Sequence, residues 1–414
     1  MMKKRFLSLA LAAALLLALP LPAFAEVEVS DPAYYERFRG KNVSINVHNW
    51  GEYISDGSDE GMDVISEFEA LTGIKVNYTT FATNEELYAR LKSGGANYDV
   101  VIPSDYAIAR MIHEGMLEEL DFDNIPNIKN ISESFLDPIY DPGGKYSVPY
   151  TWGTVGVIYN TQMVDEEDLG SWDLLWNEKY LGEILMFSNP RDAFAIALKR
   201  LGYSMNPTRE EELRDATDSL KDQKLLVQAY VMDEIFDKML GGEAAIAPYY
   251  AGDAITMMAD NPDLSYFVPE EGTNRFVDAA VIPVGAKNKE AAEMFINFLL
   301  EPEVGAANAE YIGYSSPNDA ALELMDPEVT GDPIAYPPDE VIEKTEFFIE
   351  LSPEMSLAMD KMWTEVLSSD EAYSKWLIPI MMLVAVAASV SINLLRSWRK
   401  RRDREYADRP VKKG

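Results

Sequence analysis

The sequence contains no cysteine and only two histidines, His48 and His113. Without thiols, no disulfide can hold the fold together, no thiolate can act as nucleophile, and no cysteine can carry a lipid at the N-terminal end. Neither a Gly-x-Ser-x-Gly elbow nor a His-Glu-x-x-His helix occurs, which removes the usual hydrolase and zinc-site patterns. Glycosidase chemistry needs only paired carboxylates, but no pair of Asp or Glu stands out, so an enzyme is not expected. Positive charge is scarce as well, with 36 Lys and Arg against 70 Asp and Glu and a net charge of -34. Three of the cations lie in the first 25 residues and nine beyond Leu395, where three of the acids also lie. The chain between therefore stands near -43. Such a surface repels nucleic acid.

Long apolar runs are confined to the two ends. Residues 1–25 combine Lys3, Lys4 and Arg5 with an apolar stretch and Ala23-Phe24-Ala25, the small-x-small pattern of a cleaved secretory signal. Residues 377–395 carry no charge, are flanked by Trp376 and Trp398, and precede Arg396, Arg399, Lys400, Arg401, Arg402 and Arg404. That predicts one transmembrane helix at 377–395 and a basic cytoplasmic tail at 396–414. Both ends give the same topology: a bacterial single-pass protein in the cell membrane, its main domain extracytoplasmic. The roughly 350 residues between are enough to bury one or two cores without disulfides, and a monomeric receptor is expected.

Between the ends, hydrophobic periodicity alternates between strand and helix. Val43, Ile45 and Val47 alternate with polar residues and run into Asn49-Trp50-Gly51-Glu52-Tyr53. A helix bearing Phe68 and Leu71 ends at Gly73, a strand covers 74–78, and Asn84 is read as the cap of the next helix. Tyr98 to Pro103 reads as a central strand leading to Ser104-Asp105-Tyr106, which completes a doubly wound α/β unit. Tyr146 to Thr154 is read as leading into a strand at 155–159. Further strands are expected at 184–187, 245–249, 264–268 and 276–282. Helices are expected at 193–201, 210–220, 231–240, 291–300 and 304–311, and around 339–351 and 355–366. Trp172 and Trp176 read as packing, His113 as surface, and Tyr314 as an exposed aromatic in an irregular loop. The pattern predicts a two-lobed clamshell. Its first lobe takes 39–150 and 277–322, and its second takes 151–276 and 323–370.

Ligands of open α/β sheets bind at strand ends, and there this chain gathers aromatics and carboxylates. Trp50, Tyr53, Tyr106, Trp152, Tyr250, Phe276 and Tyr314, with Asp192, Asp278 and the nearby Glu52, suit a protonated amine. Carboxylates pair with ammonium groups, while ring faces attract the cation and pack its methylenes. A different solute, an amino acid or a chelate anion, would call for Lys or Arg in the cleft, and Arg191 and Arg275 lie close by in sequence.

Six motifs in order, Asn49-Trp50, FEALTGIK (68–75), YDVVIPS (98–104), YSVPYTWG (146–153), AKNKEAAEMFINFLL (286–300) and IGYSSPN (312–318), carry a resemblance to a known family. Over about 320 residues the chain resembles the periplasmic spermidine/putrescine-binding proteins of polyamine ABC transporters. The resemblance implies a periplasmic-binding-protein-like type II fold that captures polyamine between its lobes and delivers it to a permease and its ATPase, without a cofactor. It assigns ligand contacts to Trp50, Tyr53, Ser104, Tyr106, Asp192, Tyr250, Phe276, Asp278 and Tyr314. Asn189 stands where the family has an acid, and Phe348 where it has a glutamine. Two counter-charges among these positions match putrescine, and a third ammonium of spermidine would have to stay solvated or find Glu52; both ligands remain open. So does a membrane-tethered sensing domain feeding a signalling partner. The C-terminal segment reads either as a tether replacing the family's lipid anchor or as a remnant of fusion to a permease.

Overall fold

A computed structural model describes residues 27–58 and 61–369. The expected leader at 1–25, transmembrane segment at 377–395 and basic tail lie outside the described residues. Among those described, no helix is long and apolar enough to cross a membrane.

The strands are β1 (Ser44–Trp50), β2 (Lys75–Phe81), β3 (Val100–Val101), β4 (Ser147–Asn160), β5 (Ile184–Phe187), β6 (Val227–Val231), β7 (Ile246–Tyr250), β8 (Leu264–Phe267) and β9 (Arg275–Val281). They form a path β2-β1-β3-β9-β4-β7-β5-β6, with β8 added to β4. The principal helices are α1 (Val64–Thr72), α2 (Asn84–Lys92), α3 (Asp105–His113), α4 (Pro190–Arg200), α5 (Glu210–Lys224), α6 (Ile235–Leu240), α7 (Ala251–Asp260), α8 (Lys289–Leu299), α9 (Pro302–Ile312) and α10 (Pro353–Ser368). The result is a two-lobed α/β fold of the periplasmic-binding-protein type.

The first lobe is built on the parallel pair β1–β2, with Ile45 and Val47 fully buried. Asp63 caps α1 by accepting from the Ser66 amide, and Gly73 ends it in the left-handed conformation at φ 72°. Phe68 of α1 packs edge-on against Phe295 of α8 at 5.0 Å, so a helix from far along the chain returns to close this core. In the second lobe β5 is buried throughout. Trp363 of α10 packs against Phe194 of α4 and Tyr230 of β6 at 6.3 and 5.5 Å.

Several elements differ from the sequence reading. The stretch from Tyr146 does not lead into a strand at Val155; Ser147–Asn160 is a single strand of 14 residues. Pro149 sits at a register shift in its pairing with β9, where a missing N–H is tolerated. Gly153 gives the Phe276 ring room that a Cβ would fill. The first half of β4 pairs with β9 and the second half, from Val155, with β7 and β8. Residues 227–231 form a strand that the reading missed, and the helix there begins only at Ile235. Thr83, not Asn84, caps α2, its side chain accepting from the Glu86 amide. The helix expected around 339–351 is a single turn, Asp339–Ile342. The chain beyond it lies alongside the start of β9, where the Arg275 amide donates to the Glu346 carbonyl at 2.9 Å.

Candidate functional site

The C-terminal ends of β1, β2, β5, β6 and β7 and the first half of the antiparallel β9 surround a cavity of about 320 Å³ between the lobes, within the range of small-molecule sites. Eleven of the twelve candidate residues line it: Trp50, Glu52, Tyr53, Ser104, Tyr106, Asn189, Asp192, Tyr250, Phe276, Asp278 and Tyr314. Trp152 does not. Side chains alternate along a strand, and its neighbour Thr151 reaches the cavity side to hydrogen-bond the Tyr53 hydroxyl at 2.7 Å. Trp152 therefore points the other way, against Phe135 and Tyr336.

Each wall is fixed by local structure. After β1 the chain turns through Gly51 and Glu52, the latter in the left-handed region at φ 48°. Trp50 packs on Phe81 at 4.5 Å, and its indole N–H is buried without a partner. Asn84 donates to the Ser104 and Tyr106 hydroxyls, both at 3.1 Å, and accepts from the Ser104 amide. It therefore orients two site residues rather than capping a helix. Tyr314 is buried instead of exposed, because Gly252 leaves the space its ring occupies. Its ring meets Tyr53 edge-on at 5.1 Å and Phe276 at 5.9 Å. Phe348, the position where the resemblance implies a glutamine, lines the cavity, with the Arg191 guanidinium stacked on it at 4.4 Å.

Six carboxylates line this cavity, from Glu52, Asp105, Asp192, Asp233, Asp253 and Asp278, and no Lys, Arg or His does. Asp278 accepts from the Tyr53 hydroxyl at 2.6 Å through Oδ2, while its Oδ1 is buried without a partner. Burial pushes its pKa up to about 6, against the lowering effect of the nearby Ser104 and Tyr53 hydroxyls. Asp192 accepts from the Asn189 side-chain Nδ2 at 2.6 Å and the Tyr250 hydroxyl at 2.9 Å, and burial lifts it to about 7. Asp253 accepts from the Tyr314 hydroxyl at 3.1 Å and is likewise lifted by burial to about 7. Asp105, at the start of α3, is fully buried with Oδ2 unpartnered, and burial holds it well above the usual carboxylate range. Among the described residues these acids do not converge as a metal-ion cluster. Asp253 was missed in the sequence although it stands three residues after Tyr250. An acid in a first helical turn reads as a partner of the helix dipole, and only the fold turns it toward Tyr314.

Carboxylates desolvated together, without cations, are costly as charges. Burial accordingly raises Asp105, Asp192, Asp253 and Asp278 above the ordinary carboxylate range, with Asp192 and Asp253 reaching about 7. Arg191, whose pKa burial lowers to about 10, bonds Asn206 and the Ile349 carbonyl, and Arg275 stacks on Phe347. Neither lines the cavity.

A model of the bacterial extracellular solute-binding protein family matches residues 63–337, and the chain belongs to that family of binding proteins. Within it, the chain is 37% identical over 308 residues to the spermidine/putrescine-binding periplasmic protein of Escherichia coli (strain K12), covering 74% of this chain and 86% of that protein. It is 30% identical over 345 residues to the putrescine-binding periplasmic protein SpuD of Pseudomonas aeruginosa (strain UCBPP-PA14), covering 79% and 92%. The solved structure of a putative spermidine/putrescine ABC transporter from Listeria monocytogenes is similar at 37% identity and TM-score 0.75, covering 78% of this chain and 99% of that one.

Proposed function

We propose that this protein captures a linear polyamine, putrescine or spermidine, between its lobes and delivers it to an ABC permease and its ATPase. The observation that carries this is the lining of the cavity, with six carboxylates and a belt of aromatic rings and no basic side chain. Ammonium groups would pair with Asp192 and Asp278. Trp50, Tyr53, Tyr106, Tyr250, Phe276 and Tyr314 would enclose the methylenes, and Ser104 and Asn189 would supply neutral hydrogen bonds. Asp253, half-buried in the same cavity, adds an acid beside Asp192 and Asp278, which supports accommodation of a triamine without recourse to Glu52. The names of the relatives, which include both putrescine and spermidine binders, support the same ligand class.

Titration calorimetry of residues 26–374 against putrescine, spermidine and a panel of amino acids tests the reading. Micromolar or tighter binding of a polyamine is expected, with amino acids silent. Preference for an amino acid would overturn it.

The lobes are taken as 39–150 with 277–322 and 151–276 with 323–370. For the termini, we take 1–25 as a cleaved signal, 377–395 as a membrane-spanning tether and 396–414 as cytoplasmic, on hydropathy and charge alone. Retention of the full chain in membranes after alkaline extraction, and its loss on truncation at Ser374, would support the tether. Release of the full chain into the soluble fraction would refute it.

A further inference from the structure

Of the six cavity carboxylates, Asp105 is the most deeply buried, at 0% exposure, and the polyamine reading gives it no task. Its Oδ1 accepts from the Tyr106 amide at 2.6 Å, while Oδ2 has no partner. Because Oδ2 is itself covered, it stands behind the cavity wall, out of reach of a ligand held in front. A carboxylate oxygen sealed from water and left without a donor is costly as a charge. Protonated, the same oxygen becomes a donor in need of an acceptor.

An acceptor stands beside it. Ser104 pairs with Asp278 in an antiparallel bridge, and the Ala279 amide donates to the Pro103 carbonyl at 3.1 Å. The chain at 103–105 therefore runs along the chain at 277–279, which brings Asp105 and Asp278 to adjoining positions. Asp278 Oδ2 is taken by the Tyr53 hydroxyl, and its Oδ1 is a second buried carboxylate oxygen without a partner. One proton held between the two acids satisfies both oxygens. The surroundings favour keeping that proton. Burial holds Asp105 well above the ordinary carboxylate range and the Asp278 charge raises it further, against the Tyr106 and Val277 amides and Arg191. Tyr140 faces both acids with its hydroxyl buried and unpartnered, and Asp141 beside it is occupied by the Tyr146 and Ser147 amides.

We propose that Asp105 and Asp278 share one proton, so that the pair carries a single negative charge and Asp105, as a neutral donor, positions the Asp278 carboxylate for one ammonium group of the guest. The proposal rests on the polyamine reading above. Asp105 is thus a positioning residue, acting on Asp278 rather than on the ligand. Two acids adjoin at this end of the cavity, yet the end takes one ammonium. A second ammonium has to go to Asp192 or Asp253.

Infrared spectroscopy of the full chain, ligand-free and carrying ¹³C-carboxyl aspartate, reads the proton directly. At about pH 8.5, above the values near 6 and 7 of Asp278, Asp192 and Asp253, one protonated aspartate band should remain, and Asp105→Asn should remove it. No band in the parent, or its survival in Asp105→Asn, would overturn the shared proton. Calorimetry with putrescine reads the positioning. Asp105→Leu, which has no donor, should lose about tenfold in affinity, and Asp105→Asn, which restores a donor without a charge, should recover it to within about threefold of the parent. Undiminished binding by Asp105→Leu, or a loss of about tenfold in Asp105→Asn, would overturn the proposal. Should Asp105→Leu fail to fold, the band and the Asp105→Asn titration decide. Tyr140→Phe should bind as the parent does, and a loss of about tenfold there would move the donor role to Tyr140 and overturn the pairing. A parent that shows the band but binds no putrescine would sink the polyamine reading and leave the shared proton standing.

Discussion

Replacing Asp278 by Asn should make the empty protein more stable while costing it most of its ligand affinity. The carboxyl is 4% exposed, and burial moves it from an ordinary 3.8 to about 6. At 1.36 kcal/mol per unit, ionising it in the folded state above pH 7 costs about 3 kcal/mol. The Tyr53 hydroxyl would exchange a charged acceptor for a neutral one, a loss of about 1 kcal/mol. The net gain is about 2 kcal/mol at pH 8. The sign follows from the raised folded pKa. The group's stabilising contribution is full below the unfolded value near 4 and is lost as pH rises through about 6. The variant's advantage should therefore shrink by about 1.4 kcal/mol between pH 8 and pH 5. Urea unfolding of ligand-stripped residues 26–374 at both pH values measures this. Calorimetry should show polyamine affinity down at least tenfold, about 1.4 kcal/mol. A variant less stable than the parent at pH 8, or one that binds as before, would refute the assignment of Asp278 as a desolvated anchor.

Asp253→Asn should weaken spermidine more than putrescine, by threefold or more in the ratio of their dissociation constants, because putrescine can be neutralised by Asp192 and Asp278 alone; equal losses in competition titrations would count against a third subsite. Gly252→Ala places a Cβ on the Tyr314 ring and should cost about 1–3 kcal/mol in thermal unfolding together with tenfold in affinity, whereas normal binding would show that Tyr314 is not needed where it stands. Trp152→Ala should lose about 2 kcal/mol of stability from its packing against Phe135 and Tyr336, with the dissociation constant unchanged within twofold. Asp192 and Asp253, raised by burial to about 7, are each about three-quarters protonated at pH 6.5, so a guest that ionises both should release about 1.5 protons; calorimetry in phosphate and in imidazole should differ by about 1.5 times the difference between the two buffers' ionisation enthalpies, and affinity should fall as pH drops below about 7.

The strands and helices that alternate cleanly were legible from the sequence: Ile184–Phe187 has the expected bounds, and the helix that ends at Gly73 ends there. What failed was whatever depended on a distant partner. Pro149 and Gly153 look like interruptions until Phe276 and the β9 register account for them. Tyr314 reads as an exposed loop aromatic because nothing near it in sequence shows that Gly252 makes room for it. Asn84 sits where a cap belongs, one position too late, and serves Ser104 and Tyr106 instead. The lining aromatics and Asp192 and Asp278 could be nominated because the sequence pattern puts them near strand ends, although Asp278 stands within β9. Trp152 was nominated on the same pattern but stands inside β4, and only counting alternate residues from Thr151 separates it from the others.

The long strand Ser147–Asn160 has a consequence for how length is sensed. Its two halves are bonded to different neighbours, so it belongs to both lobes, and a ribbon held along its edges twists far more readily than it slides or stretches. If the cleft opens by an angle turned about this strand, displacement grows with distance from it. Asp278 lies opposite Thr151 on the adjoining strand, near that axis, and would then move little. Asp192 follows β5, three strand spacings or about 14 Å from β9, and would swing through a wider arc. On the proposed assignment the pair would then act as a caliper, with one jaw fixed and the other adjustable. The separation of charges along the guest, rather than its volume, would decide the angle at which both jaws are met.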